Sequence, residues 1–388
     1  MKYLITIIIA CYLLPIHIRG QEKDLFNPIN TGVNSLDIAP DSRAGGMGDV
    51  GVATEPDINS QYWNPAKYPF TVSRGGFSLS YTPWLKKLVS DINLSYLAGY
   101  ARIGNKQAIS GSLRFFSLGD VPVGYADDGS VGYNIKPYEM AVDMAYSRML
   151  SEYFSTAVAL RFIYSDLAYR EDEEVSPGTA FSADLAFYYN RYVMIAQREC
   201  LFAWGLNLSN IGTKISYNSG NTSQFLPTSM RLGVSLLYPI DNYNTLGISL
   251  DLNKYMVPTR PQQREEESQK DYEERLERDY YDISPIRGIF RSFGDAPGGF
   301  MEELQEIQWS LGLEYTYNNR FSLRAGYHFQ HENKGNRKYF SFGAGFKMNV
   351  CSIDAAYLMS TAQSNPLDQT LRFSLGFDID GLKDLFNR

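Results

Sequence analysis

From residue 73 to about residue 380, apolar and polar side chains alternate along the chain with a period of two. Tyr138, Met140, Val142, Met144 and Tyr146 interleave with Glu139, Ala141, Asp143, Ala145 and Ser147. Phe154, Thr156, Val158, Leu160, Phe162 and Tyr164 alternate with Ser155, Ala157, Ala159, Arg161, Ile163 and Ser165, and Trp309 to Tyr317 repeats the pattern. Successive side chains of a strand point to opposite faces, so each segment has one greasy face and one small, polar face. The greasy faces end in Tyr or Trp, as a lipid-facing exterior with aromatic girdles requires, and the polar faces suit a lumen. The pattern predicts strands at 73–82, 90–102, 106–118, 136–149, 152–166, 179–190, 200–213, 228–239, 243–256, 305–318, 320–330, 337–348, 352–362 and 370–380.

The spacing between these fourteen segments is a second signal. Connections after even-numbered strands are short, such as Ile103-Gly104-Asn105 and Asn318-Asn319. Those after odd-numbered strands are long: 119–135, 167–178, 214–227 and 257–304. Short periplasmic turns and long outer loops produce this rhythm in an outer-membrane barrel whose ends both lie in the periplasm. The 191–199 connection is too long for its place. The expected fold class is therefore all-β: a 14-stranded antiparallel transmembrane β-barrel occupying 73–380.

Flanking segments read differently. Residues 1–20 resemble an export signal, with Lys2 before an apolar core, Tyr3 to Leu14, that is too short to span a bilayer. Cleavage is expected after Gly20, with acylation at Cys11 a minor alternative. No later run is long and apolar enough for a transmembrane helix. Residues 21–72 are irregular and rich in Gly, Asn and Asp, and 381–388 form a carboxy-terminal tail.

Composition narrows the function. The formal net charge is −7, with 29 Tyr and 22 Phe against three His. Nucleic acid needs clustered cations, and no such stripe exists, so it is not an expected partner. Cys200 and Cys351 lack metal-ligand spacing and read as separate side chains, with a disulfide between them as the alternative. Lumen-facing charges of both signs are predicted at Arg114, Asp143, Arg161, Asp184, Arg231, Asp251, Glu314, Arg324, Lys347 and Arg372. Mixed signs favour internally paired charges over a selective passage.

Gly46-Met47-Gly48-Asp49-Val50-Gly51 matches G-x-G-x-x-G by letter, but a dinucleotide site needs it between a strand and a helix. Here a loop precedes and barrel sequence follows, so no cofactor is expected. His328 and His331, with Ser322 or Ser341, are the poor best case for hydrolysis. No catalytic or metal site is expected. In the 257–304 insert, the stretch Gln262 to Asp279 is dense in both charges and suits a solvated helix. Ile289, Phe290, Phe293, Phe300 and Met301 follow. Apolar groups on an outer loop must either fold over the barrel mouth or meet a partner.

Residues 42–66, with Arg43-Ala44-Gly45-Gly46-Met47-Gly48 and Tyr62-Trp63-Asn64-Pro65-Ala66 carrying the match, resemble the amino-terminal segment of the PorV family. Leu226-Pro227-Thr228 and Arg231-Leu232-Gly233 are similar to the same family. These are type IX secretion outer-membrane proteins of Bacteroidetes, similar in turn to FadL-type barrels whose amino-terminal segment tucks into the lumen. The resemblance implies a lumen-plugging role for 21–72, with Arg43, Gly45, Gly46, Gly48, Gly51, Trp63, Asn64 and Pro65 as its structural or gating residues. Glycines suit a segment that must turn sharply and approach other backbone closely. The resemblance also implies a non-enzymatic role. Its partners would be the very large translocon barrel, the carboxy-terminal domains of exported cargo, and the surface attachment complex with its sortase-like protease. A FadL-type channel for hydrophobic small molecules, which needs a continuous apolar path past the plug, is the alternative. A lipopolysaccharide acyl hydrolase, an activity attached to some family members, comes third. The ending departs from ordinary barrels, because Gly381 to Arg388 continue past the aromatic Phe377.

Overall fold

The computed structural model describes residues 26–84, 91–125, 131–167, 176–217, 223–264, 267–361 and 369–386. The expected leader, with Cys11 and Gly20, lies outside them. Fourteen strands close into one antiparallel barrel. They are β1 (Gly75–Pro83), β2 (Asn93–Ile103), β3 (Gln107–Ser117), β4 (Tyr138–Met149), β5 (Phe154–Asp166), β6 (Gly178–Ile195) and β7 (Arg198–Gly212). The circuit continues with β8 (Ser229–Pro239), β9 (Asn244–Tyr255), β10 (Gln308–Tyr317), β11 (Phe321–Phe329), β12 (Lys338–Lys347), β13 (Cys351–Ser360) and β14 (Leu371–Asp378). Every neighbour in the circuit is the next strand in sequence, and β14 returns to β1 through Gly76↔Asp378 to Tyr81↔Phe373. The strand count and order match the alternation pattern.

The period-two pattern also assigns the faces correctly. Phe77, Leu79 and Tyr81 point out from β1 while Ser78, Ser80 and Thr82 are buried. Val142, Met144 and Tyr146 are exposed on β4, whereas Ala141, Asp143 and Ala145 are buried. Aromatic side chains gather near both ends of the strands. Trp309, Tyr327 and Phe329 cluster at the outer end, and Phe154, Tyr189 and Trp204 at the periplasmic end. Among the described residues no helix is long and apolar enough to cross a membrane, and the barrel crosses with strands.

Three features differ from the sequence reading. The 191–199 connection is not a loop. β6 and β7 simply continue through it and join at a two-residue turn, Ala196-Gln197, with φ of 48° and 65°. Two outer loops contain small hairpins of their own, Val121–Tyr125 with Val131–Ile135 and Ile215–Ser216 with Ser223–Gln224. The last strand ends at Asp378, and a helix, Ile379–Phe386, follows at the periplasmic end. Cys200 on β7 and Cys351 on β13 are both free, so the disulfide alternative is not realised.

A closed ladder resists detergent until heated, because breaking it exposes backbone groups around the whole circuit. Unheated protein should therefore migrate faster than boiled protein on a detergent gel and give a strand-dominated circular dichroism spectrum. Identical migration together with a helical spectrum would contradict the fold.

Candidate functional site

The interior of the barrel is occupied by the amino-terminal segment. It enters at the outer mouth, where the Asn27 amide donates to the Asn333 carbonyl (2.9 Å) and the Gly32 amide to the Phe225 carbonyl (2.8 Å). It leaves at the periplasmic end, where Thr71 and Ser73 lead into β1 beside Tyr100 and Arg102. Between these points it is irregular, so its backbone groups cannot satisfy one another and turn to the wall. Arg114 of β3 donates to the carbonyls of Ser35 and Ile38. Asp251 of β9 accepts the amides of Gly51 (2.8 Å) and Val52 (3.0 Å) through one carboxylate oxygen. The Gly48 amide donates to Ser341 Oγ (2.7 Å), and Asn207 donates to the Trp63 carbonyl (2.9 Å).

The charges follow the same logic. Arg43 forks onto Glu314 of β10 (2.8 Å between Nη2 and Oε2) and reaches Asp57 (2.9 Å). Glu314 also takes Arg324 (2.7 Å), which extends to Asp354 (2.6 Å). Asp49 pairs with Arg372 of β14 and accepts from Tyr339. Arg161 bridges Asp143 (3.1 Å) and Asp184 (2.8 Å). Of the ten lumen charges expected from sequence, Lys347 is exposed, Arg114 and Asp251 bind plug backbone, and Arg231 lies 3.6 Å from Asp37. The remainder are paired across the wall or to the plug, which is how buried charges are kept affordable in a low-dielectric interior.

The expected plug residues fall into two groups. Arg43 and Gly45 lie in a short helix, Ser42–Gly45, that Asp41 caps, and Gly46, Gly48 and Gly51 line the turn that follows it. Gly48 has φ +75°, and a Cβ there would come 2.8 Å from the Tyr327 amide nitrogen. At Gly51 a Cβ would fall 2.3 Å from the Trp63 ring. Trp63, Asn64 and Pro65 form the second group. Asp41 joins the two, accepting the Ala44 amide (2.9 Å) through one oxygen and Trp63 Nε1 (2.6 Å) through the other. Full burial pushes the Asp41 carboxyl up to about 6 and the Lys67 ammonium down to about 8. Asn64 holds the Val52 carbonyl (3.1 Å) and the Phe187 carbonyl (2.9 Å), and Pro65 opens a 3-10 turn to Phe70.

Sequence reasoning missed several partners. Tyr62 is clasped between Arg114 (4.8 Å) and Arg231 (4.7 Å). The wall makes room for the plug with glycines at lumen positions, Gly205 opposite Gly233 and Gly312 opposite Gly326. A Cβ at Gly326 would lie 2.0 Å from the Met47 carbonyl carbon, and one at Gly205 would lie 2.5 Å from the Val52 carbonyl oxygen. A glycine on the lumen side of an alternating strand was the available signal.

Below the plug, a cavity of about 650 Å³ opens at the periplasmic end between Glu55, Asp57, Arg320, Lys347 and Asp380. Further out, a pocket of about 50 Å³ lies beside Trp63, Asp251, Arg231 and Gln308, and one of about 10 Å³ beside Tyr62, Arg114 and Arg161. His328 meets Ser310 (2.8 Å) instead of Ser322 or Ser341. Ser341 is engaged by Gly48, and His331 caps the turn at Asn333.

The outer insert closes the other end. Its charged stretch is helical only over Gln269–Leu276, continuing as a wider turn through Glu277–Tyr281. Val257, Leu276, Tyr280 and Ile283 pack with Phe225 and the plug's Ile29. Two buried lysines fasten the final helix, Phe300–Gln305: Lys254 binds Glu303 (2.9 Å) and Glu306 (2.5 Å), and Lys334 binds Glu302 (2.6 Å) and Glu306 (3.0 Å). Of the five expected contact residues, Phe290 (77%), Phe293 (49%), Phe300 (75%) and Met301 (68%) are exposed, joined by Ile286 (66%). Ile289 is half-buried. The insert therefore folds over the mouth with one face and shows its apolar side chains on the other.

The model of a family described as "Type IX secretion system protein PorV" matches residues 20–262. No curated protein matches the chain. Among solved structures, a deletion mutant of the TodX monoaromatic hydrocarbon channel is 11% identical, with a TM-score of 0.51, covering 87% of this chain and 98% of that one. The Pseudomonas putida toluene transporter TodX is 10% identical, with a TM-score of 0.48, covering 91% and 99%. At such identity the likeness concerns the fold, a closed barrel.

Replacing Gly48 with Val forces a branched side chain into a left-handed backbone against Tyr327, a strain of about 1–3 kcal/mol. Protease added to purified barrels should cut the 43–66 segment of Gly48→Val faster than that of wild type. Equal cutting would show that the turn does not hold the segment.

Proposed function

From the premise that this chain belongs to the PorV family of type IX secretion system proteins, we propose that it binds exported cargo at the outer-membrane translocon and hands it to the surface attachment complex. The protein resides in the outer membrane as a barrel. The observation that carries the proposal is the division of labour in the outer insert. One face, through Tyr280, Ile283 and the Lys254 and Lys334 ion pairs, is spent on closing the barrel. Ile286, Phe290, Phe300 and Met301 are presented to the outside, and Phe293, half-exposed, links the two with its ring 5.8 Å from Lys254 Nζ. Large apolar side chains exposed on one outer loop mark a place where a protein partner docks. The translocon barrel is the partner this reading assigns to that face, and the carboxy-terminal domain of cargo is the passenger.

A plug cross-bonded to the wall on all sides also suits a protein that works by its surfaces. A FadL-type channel would need a continuous apolar route. The pockets above the periplasmic cavity are lined instead by Arg161, Arg231 and Asp251. Arg43, Gly45, Gly46, Gly48, Gly51, Trp63, Asn64 and Pro65 act in this reading as structural anchors of the closed state.

Burial of each docked aromatic contributes about 1.5–3 kcal/mol before ordering costs. The double variant Phe290→Ser, Phe293→Ser should still shift on heating, since loop residues add little to strand pairing. It should recover less translocon in pull-downs from native membranes, and cargo should accumulate in the periplasm. The matched control, Lys270→Ala with Glu274→Ala, removes an exposed pair 3.9 Å apart and should change neither. Normal secretion by the Phe double variant would move the contact elsewhere. Normal secretion by cells lacking the protein, with impaired uptake of a hydrophobic solute, would replace the secretion reading with the channel.

A further inference from the structure

The two longest strands of the barrel belong to one hairpin, and their extra length lies beyond the membrane. β6 has 18 residues and β7 has 15, whereas their neighbours β5 and β8 have 13 and 11. The periplasmic aromatic belt crosses this hairpin at Tyr189 and Trp204, whose rings stack at 6.1 Å. Past that level β5 stops, while β8 stays paired with β7 for three more residues. The last bond to the β5 side is the Asn190 amide to the Tyr153 carbonyl (2.9 Å), and the last β8 pair is Leu237↔Leu201. The hairpin continues through Tyr192↔Leu201, Val193↔Cys200, Met194↔Glu199 and Ile195↔Arg198; on the β7 side Arg198 still donates to the Pro239 carbonyl of β8 (3.1 Å), so the edge without a neighbour is that of β6. Six residues past Tyr189 extend roughly 20 Å along the strand.

The turn settles which backbone groups are left open. A two-residue hairpin turn makes Ile195 and Arg198 a hydrogen-bonded pair, so bonding between the strands recurs at Val193 and Arg191. The N–H and C=O groups of Tyr192 and Met194 therefore point away from β7, in the direction in which Asn190 donates to Tyr153. No partner for them occurs among the described residues. Their side chains are equally free, with Tyr192 62% and Met194 70% exposed. Both continue the even-numbered row of β6, Ser182, Asp184, Ala186 and Tyr188, which faces the lumen.

Proteins usually blunt an open edge with charges, a bulge or a covering element. Here the open stretch carries a Tyr and a Met. Arg191 stands where the edge begins, 5.3 Å over the Tyr153 ring and without an ion pair among the described residues. We infer that the Arg191–Ile195 edge is a strand-addition site, where an extended polypeptide segment with apolar side chains at alternate positions and a carboxylate opposite Arg191 pairs from the periplasm. Main-chain bonds to Tyr192 and Met194 hold the segment, and the Tyr192 and Met194 side chains select its apolar positions. The occupant is a segment of exported protein on its way to the translocon, an assignment that rests on the secretion reading above.

The probe is a labelled synthetic peptide of alternating Val and Thr with Asp at one end, titrated against the purified full-length barrel in detergent. A second peptide has Pro at its centre, and a third has Asn in place of Asp. Met194→Pro removes the outward amide while leaving the β7 ladder intact, since proline is tolerated on an edge. Met194→Ser with Tyr192→Ser keeps the backbone and removes the side chains. All barrels are first required to shift on heating. Central Pro in the peptide, or Met194→Pro in the barrel, should each weaken binding about three- to tenfold, the worth of one hydrogen bond. The serine pair should weaken it as well, and Arg191→Gln should abolish the preference for Asp over Asn. Equal binding of the Pro-interrupted peptide, or an unaffected Met194→Pro barrel, overturns the site. In cells, Met194→Pro should leave cargo in the periplasm. Peptide binding lost with export unchanged overturns the assigned occupant. Normal export in cells lacking the whole protein would instead sink the secretion reading and leave the strand-addition site standing.

Discussion

Backbone hydrogen bonding in a solvent that offers none is the constraint from which this molecule follows. In hydrocarbon each peptide group must find its partner within the protein, and a sheet achieves this only by closing on itself. Closure at fourteen strands creates an interior too wide for wall side chains alone to fill. The amino-terminal segment resolves that problem and creates another, because it is irregular and brings its own unpaired amides and carbonyls into the lumen. The polar face of the wall serves that need: Arg114, Asp251, Asn207 and Ser341 are hydrogen-bond partners for plug backbone.

The charged groups follow from the same burial. A lone Arg372 or Asp49 in the lumen would carry a desolvation penalty of several kcal/mol, which a well-aligned partner offsets. Glu314 shows how thoroughly this is done, since it serves Arg43 from the plug and Arg324 from the wall at once. Such pairs add little net stability, yet they penalise any other placement of the plug by leaving a buried charge unmatched. The glycine pairs Gly205–Gly233 and Gly312–Gly326 set the same register by shape.

Much of this was legible in the sequence, and the reason is geometric. A two-sided strand must alternate, so residues such as Tyr138 to Ser147 declare both their conformation and their orientation. Loop lengths then fix which end is which. The legibility fails where a rule is local but the structure is not. Residues 191–199 looked like an overlong turn because Arg191, Arg198 and Glu199 break the apolar pattern, as strand residues beyond the membrane are free to do. The importance of Tyr62, Asp41 and the wall glycines arises only from contacts between segments far apart in sequence. The outer insert was legible as a dilemma, cover or contact, and it contains both a buried Tyr280 and an exposed Phe290.

The direction in which the plug runs has a consequence for how the barrel is made. Asn27 is bonded at the outer mouth and Thr71 at the periplasmic rim, so the segment lies along the axis like a core inside a mould. It grips strands from β3 round to β14, and pockets of only about 10 and 50 Å³ lie beside it in the mid-lumen. A chain so enclosed cannot be drawn in after the wall has shut. The wall must come together around it, and the seam where β14 meets β1 offers a natural last joint. Ser374 on that seam bonds both the Ser42 amide of the plug (2.9 Å) and Ser80 of β1 (2.7 Å). The plug is thus the template on which the last strand finds its place.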